Sequence, residues 1–257
     1  MVREQRLVFG EVADEYDDVR AGYRDELVDA VFDYLGRVPE RIVEVGAGTG
    51  KGTAAFAVRG VPMTCVEPDP AMAAVLQGRF PEVEVATCRF EDWVPPAGGV
   101  PLVICAQAWH WVEEATRLGL AHAALVPDGV LALFGHQYGF VDAELEASIN
   151  EAYARHAPEL LDQPKQPPDP QAHWLALELA GSPLFVDVRA VAFDTIVPYP
   201  TQRYLRLLNT FSSQRMLPAA RRAELFAGIA AAVDAHGGVV EAQLDTALVC
   251  GRRAEDS

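Results

Sequence analysis

Two periods of apolar residues alternate along the first two thirds of the chain. Leu27, Val28, Val31, Phe32 and Leu35 recur at helical spacing and predict a helix that Gly36 stops. Arg41 to Val45 is a short β-branched strand that runs straight into Gly46-Ala-Gly-Thr-Gly50, and small residues from Ala54 to Val58 predict a helix behind that loop. Val61 to Glu67 predicts a second strand. Pro70, suited to a first helical turn, opens a helix carrying Met72, Val75 and Leu76. Val83 to Cys88 and Val100 to Cys105 predict the third and fourth strands, and a helix ending near Leu125 follows. Pro127-Asp128-Gly129 predicts a turn into a fifth strand, Val130 to Phe134. Short apolar strands alternating with helices imply βαβ units, hence a doubly wound α/β fold whose mostly parallel sheet is covered on both faces.

After Phe134 the rhythm changes. Residues 141–156 read as a helix, and 157–170 (APELLDQPKQPPDP) as a proline-rich stretch of the kind that is either functional or a linker. Phe185 to Val197 and Gln243 to Cys250 read as long strands, which brings the sheet to seven. Between them lie helical stretches near 200–211 and 218–236, the second with Leu225, Ile229 and Val233 on one face. No internal repeat is present, and 1–257 is expected to form a single domain.

Composition narrows the function classes. With 257 residues the chain can bury a sizeable core. Half of it is hydrophobic, yet no apolar run reaches the roughly 18 residues needed to span a bilayer, so no membrane role is expected. The opening residues MVREQRLVFGEVADEYDDVR are charged throughout and hold no signal-peptide core, so the expected location is the cytoplasm. A net charge of −16 argues against nucleic acid as a partner, because phosphate binding rests on surface Lys and Arg. The paired basics Arg221-Arg222 and Arg252-Arg253 read as a solvated helix start and a chain tail. Cys65, Cys88, Cys105 and Cys250 stand singly in or beside apolar runs, without CxxC spacing, and are expected to be buried packing groups. No metal is expected.

The glycine loop carries the candidate chemistry. Glycines between a strand and its helix let backbone N–H groups approach a ligand closely. A phosphate-binding loop needs GxxxxGK[ST]; Gly46-Ala-Gly-Thr-Gly-Lys51 is one residue short, and Gly52 stands where the magnesium-binding hydroxyl would be. A dinucleotide fingerprint needs GxGxxG, and Lys51 or Thr53 occupies its sixth position in the two possible registers. What remains is an acid followed by GxGxG, Glu44-Val-Gly46-Ala-Gly48-Thr-Gly50. The acid would repel a pyrophosphate; it suits a cofactor with an ammonium group and a positive sulfonium.

With its neighbours this loop resembles the class I S-adenosylmethionine (SAM)-dependent methyltransferases, in their small-molecule branch. The likeness rests on VEVGAGTGKGT at 43–53, CVEPDPAM at 65–72, CRFEDW at 88–93 and QAWHW at 107–111. The last resembles the QAxHW segment of one subgroup, whose opening helix Phe9…Ala13…Tyr16…Arg20…Tyr23 also resembles. The resemblance implies SAM as cofactor, 1–36 as lid helices, 37–135 as the cofactor-binding core, and 136–180 and 198–237 as cap insertions over the acceptor. It places the cofactor against Tyr16, Arg20, Glu44, Gly46, Ala47, Gly48, Thr49, Gly50, Glu67, Pro68, Met72, Phe90, Glu91, Asp92, Gln107, Ala108 and Trp109. Glu67 would accept the ribose hydroxyls and Glu91, in competition with Asp92, the adenine amino group. His110 is either a general base, since imidazole titrates near neutrality, or a pocket wall. The implied function is methyl transfer to a small acceptor, at a hydroxyl or carboxylate oxygen. The rival readings are a SAM-binding protein without methyl transfer and a nicotinamide-dependent oxidoreductase, the latter disfavoured by the failed fingerprint.

Overall fold

The computed structural model describes residues 8–161, 167 and 169–255. Its strands are β1 Ile42–Val45, β2 Met63–Val66, β3 Glu84–Ala86, β4 Val100–Ala106, β5 Leu125–Phe140, β6 Phe185–Pro200 and β7 Val239–Arg253. They form one sheet in the order β3-β2-β1-β4-β5-β7-β6. The pairings from β3 across to β5 are parallel, and the whole sheet is mixed rather than purely parallel. Contacts divide the chain into two compact units. A sheet unit takes Ala21–His136, Pro167–Phe193 and Thr246–Ser257; a helical unit takes Met1–Arg20, Gln137–Gln166 and Asp194–Asp245. The three long strands β5, β6 and β7 contribute residues to both.

In the sheet unit successive strand residues alternate between two apolar clusters, because Cβ atoms of a strand point alternately to its two faces. Ile42, Leu102, Ile104, Val130, Ala132 and Phe134 pack on one face with Leu27, Val31 and Phe56. These last belong to helices α2 (Asp25–Leu35) and α3 (Lys51–Ala57). Val43, Val45, Val103, Leu131 and Leu133 pack on the other with Ala121, Leu175 and Leu179, from α5 (Arg117–Ala124) and α7 (Trp174–Ala180). Glu44 stands on the α3 face in a strand buried at every position. Helix α2 ends as expected, with Gly36 left-handed and its N–H bonded to Phe32 O. Helix α4 (Pro70–Arg79) starts with proline at its first turn and with the Asp69 carboxylate accepting from Ala71 N and Met72 N.

The helical unit is built from α1 (Ala13–Val19), α6 (Ala143–His156), α8 (Thr201–Asn209), α9 (Ser212–Met216) and α10 (Ala219–Ala235). Leu225, Ile229 and Val233 of α10 are fully buried with Val19, Ile149 and Leu207, as their common face requires. Each such side chain contributes about 1.5–3 kcal/mol through burial. Charges tie α1 to α8: Arg206 pairs with Glu15 and Asp18, and Arg203 with Asp18.

Two elements and one residue differ from expectation. Strand β5 begins at Leu125, not Val130: Val100 pairs with Leu125 and Leu102 with Val130, so Val126, Pro127, Asp128 and Gly129 oppose Pro101 alone. The proline-glycine signal marks a bulge inside a strand, with Asp128 at φ 60°, rather than a turn before one. Helix α7 was not expected. Cys88 is half-buried, whereas the other three thiols are buried. Residues 1–7 of the expected lid, and 162–166 and 168 of the proline-rich stretch, lie outside the described residues. Among the described residues no helix is long and apolar enough to cross a membrane.

Removing the α4 cap tests the local account. Asp69→Ala should cost about 1 kcal/mol of stability, read as a lower urea midpoint at unchanged slope. An unchanged midpoint would mean that the two Asp69 hydrogen bonds contribute nothing net.

Candidate functional site

The sheet order reverses between β1 and β4, so the loops leaving those two strands diverge and open a crevice at their carboxyl ends. Gly46, Gly48 and Gly50 all adopt left-handed backbone, at φ 66°, 58° and 89°. Their reasons differ. A Cβ on Gly46 would lie 2.3 Å from the Ala108 Cβ, so the β1 and β4 loops can meet only because Gly46 has none. One on Gly50 would strike the Phe80 ring at 2.9 Å. Gly48 is open: only the Met72 Cε, at 3.6 Å, would be near its Cβ.

The end of β2 holds this loop. Gly46 N and Ala47 N both donate to Val66 O, at 2.8 and 3.3 Å. The Glu67 carboxylate accepts from Gly48 N through Oε2 at 2.8 Å and from Asp69 N through Oε1 at 2.9 Å. Burial raises the Glu67 pKa, and those two backbone bonds offset part of the rise. Pro68 follows, and Met72 sits buried on the first turn of α4. Thr49 is buried with its Oγ1 unpartnered, while its carbonyl accepts from Arg79 Nη1 at 3.0 Å.

Glu44 sits beneath the loop, not at its surface. It is fully buried, its Oε2 accepts from Thr53 Oγ1 at 2.5 Å, and its Oε1 has no partner. That oxygen lies where a Cβ on Gly52 would be, 2.2 Å away, so Gly52 is needed to make room for it. Burial drives its pKa up to about 8, against the Thr53 hydrogen bond, which lowers it; the Glu67 charge raises it further.

After β3 the short helical turn Phe90–Asp92 buries Phe90 and leaves Asp92 exposed. Glu91 Oε1 accepts from Arg89 Nη2 at 2.8 Å and from Glu113 N at 3.0 Å. Burial would raise its pKa, but these bonds prevail and hold it below the ordinary range.

After β4, Gln107 takes a left-handed φ of 58° and donates from Nε2 to His136 O at 3.0 Å. Non-glycine residues persist there only where the surroundings impose it. Ala108 meets Gly46, as above. Trp109 is a core residue, 2% exposed, with Nε1 donating to Glu178 Oε2 at 3.0 Å. His110 is exposed to solvent and lies against Trp111, ring centroids 4.7 Å apart. Desolvation by the packed surroundings, then the Arg117 charge, lower its pKa below 6.5. Among the described residues its ring has no hydrogen-bond partner.

Tyr16 and Arg20 belong to the helical unit. Arg20 donates to Thr210 Oγ1 at 2.8 Å and to Thr210 O at 3.1 Å, with its guanidinium over the rings of Phe211, Tyr16 and Tyr138. Sequence reasoning missed Thr53, Arg117, Glu178 and His136. Thr53 was in view inside the loop motif; the others carry no local signal.

Residues 42–129 match the family model of a methyltransferase domain. An uncharacterised methyltransferase of Mycobacterium tuberculosis is 33% identical over 131 residues, which cover 51% of this chain and 53% of that protein. The chain thus spans about half the length of the curated relatives it matches. A proposed type II methyltransferase structure from Anaeromyxobacter dehalogenans has a TM-score of 0.62 at 22% identity, covering 91% of this chain and 97% of that one. Phosphoethanolamine N-methyltransferase 2 of Haemonchus contortus, solved with phosphomonomethylethanolamine and S-adenosylhomocysteine, has a TM-score of 0.53 at 13% identity. That match covers 99% of this chain and 61% of that one. The structures carry the fold, and the family model bears out the class I methyltransferase resemblance over the matched segment. None of them addresses the QAxHW subgroup.

Glu44 yields a pH prediction. Its pKa is ordinarily 4.5 and rises to about 8 on folding, so the folded chain binds the extra proton in between. Stability is therefore full below about 4.5 and falls as pH rises towards about 8. Glu44→Gln, neutral throughout, should flatten this decline in urea unfolding between pH 5 and 8.5. Equal slopes in the two proteins would show that Glu44 is ionised in the fold.

Proposed function

We propose that the chain transfers a methyl group from SAM to a small organic acceptor, at a hydroxyl or carboxylate oxygen. One observation carries this reading: an open glycine loop at the sheet's switch point, with the Glu67 carboxylate fixed beside it by Gly48 N and Asp69 N. SAM fits the residues present. The open space at Gly48 suits a close ligand, and the Glu67 carboxylate is fixed beside it by Gly48 N and Asp69 N. When bound, SAM supplies an electrophilic methyl on a positive sulfonium.

The protein's part is to bind, orient and keep water out. Each Glu67 oxygen accepts one backbone N–H and retains a second lone pair, enough for two ribose hydroxyls. Gly46, Ala47, Gly48, Thr49 and Gly50 offer backbone to the cofactor, and Pro68, Met72 and Phe90 offer apolar surface. Glu91 is anchored through Oε1, which leaves Oε2 for the adenine amino group. Gln107 and Ala108 complete the β4 side. Trp109, buried and bonded to Glu178, acts by position. His110, with its pKa lowered, is a neutral imidazole at neutral pH and takes up the acceptor's hydroxyl proton at a ring nitrogen. For a carboxylate acceptor no base is needed, and alignment of the two reactants supplies most of the rate.

Glu67→Ala should weaken S-adenosylhomocysteine binding by roughly 2–3 kcal/mol, because charge-assisted hydrogen bonds are lost. Calorimetry that finds equal affinity in a folded variant would remove Glu67 from the site, and wild-type binding of NAD in place of SAM would favour the oxidoreductase reading. His110→Ala should lower turnover of a hydroxyl acceptor about 10²–10⁴-fold with cofactor affinity nearly unchanged. The wild-type rate should rise with pH through a midpoint below 6.5. A variant that keeps this acid limb would make His110 a wall of the pocket.

A further inference from the structure

His110 sits in the middle of a helical turn, Trp109–Trp111, closed by Trp111 N donating to Ala108 O at 2.9 Å and Val112 N to Trp109 O at 3.2 Å. Two hydrogen bonds do little to hold so short a turn to the sheet. What anchors it is the residue before His110. The Trp109 indole N–H donates to Glu178 Oε2 at 3.0 Å, and the Trp109 carbonyl accepts from Arg117 Nη1 at 3.2 Å. Arg117 in turn donates from Nε to the other Glu178 oxygen at 2.6 Å. Its guanidinium also lies 5.7 Å from the Trp109 ring centroid and 5.5 Å from that of Trp174. Arg117 is buried and Glu178 nearly so, which shields the pair from solvent and salt.

We propose that Glu178 is a positioning residue: by binding Trp109 and Arg117 at once, it holds the turn that presents His110. The donors come from two elements, and only a carboxylate offers each an acceptor oxygen from one rigid group. Helix α7 contributes that carboxylate from 68 positions beyond His110 in the chain, without touching the reacting end itself. The inference rests on the proposed role of His110 for its purpose, but its test does not.

Hydrogen exchange reads the turn directly, in the full chain. Glu178→Gln is nearly isosteric but has one acceptor oxygen where the site presents two donors, so one bond must break. Trp109→Phe removes the indole donor and leaves the Arg117–Glu178 pair intact. In both variants protection of the Trp111 and Val112 amides should fall at least about tenfold, the scale set by losing one buried hydrogen bond. Protection of the Ile104 amide in β4 should stay near wild type. A merely structural Glu178 would loosen the turn and β4 alike, and that outcome, or unchanged protection at Trp111 and Val112, overturns the proposal. If Glu178→Gln does not fold, Trp109→Phe decides alone on the same readout. Failure of the wild type to bind S-adenosylhomocysteine would sink the methyl-transfer reading and leave this result standing.

Discussion

A loop of left-handed glycines has no side chains with which to keep its shape, and here the neighbouring strand keeps it. Val66 O gathers the N–H groups of Gly46 and Ala47, and Glu67 fixes Gly48 and Asp69 with its two oxygens. The same carboxylate therefore shapes the loop and anchors the entry to α4, and each of its oxygens keeps a second lone pair. On the far side Ala108 presses on Gly46, so the β1, β2 and β4 ends form one packed cluster at the switch point. The close approach leaves no room for a side chain at Gly46, and the fixed carboxylate leaves little conformational entropy to lose on binding.

Burial sets the electrostatics of this cluster. Glu44 and Glu67 are both buried and driven towards their neutral forms by loss of solvent. A site that disfavours its own charges responds strongly when a cation arrives, since the interaction is then little screened. Arg117 and Glu178 are the exception: a largely buried ion pair whose mutual hydrogen bond offsets part of the desolvation of each.

Much of this was legible in the sequence. The strands β1 to β4 follow from β-branched runs between helical periods, and the acid-GxGxG spacing by itself excludes phosphate and dinucleotide loops. Less visible was what depends on packing across the chain. The Pro127-Asp128-Gly129 signal is the same for a turn and for a bulge, and only pairing with Val100 and Leu102 distinguishes them. Helix α7 spans two turns at most, too short for a period to show. Trp109 reads as a pocket aromatic because it neighbours His110, yet its partner Glu178 lies in that unseen helix. The strand position of Glu44 is plain in the sequence, but alternation puts its side chain under α3, where it is fully buried.

The most direct test of the account is a crystal structure of the protein with S-adenosylhomocysteine. The account predicts the ribose on Glu67, the adenine beside Phe90 and Glu91, and the homocysteine over Gly46 to Gly50. The sulfur should then face the turn that bears His110. Ligand density away from the β1 and β2 ends, or contact with the loop but not with Glu67, would contradict it.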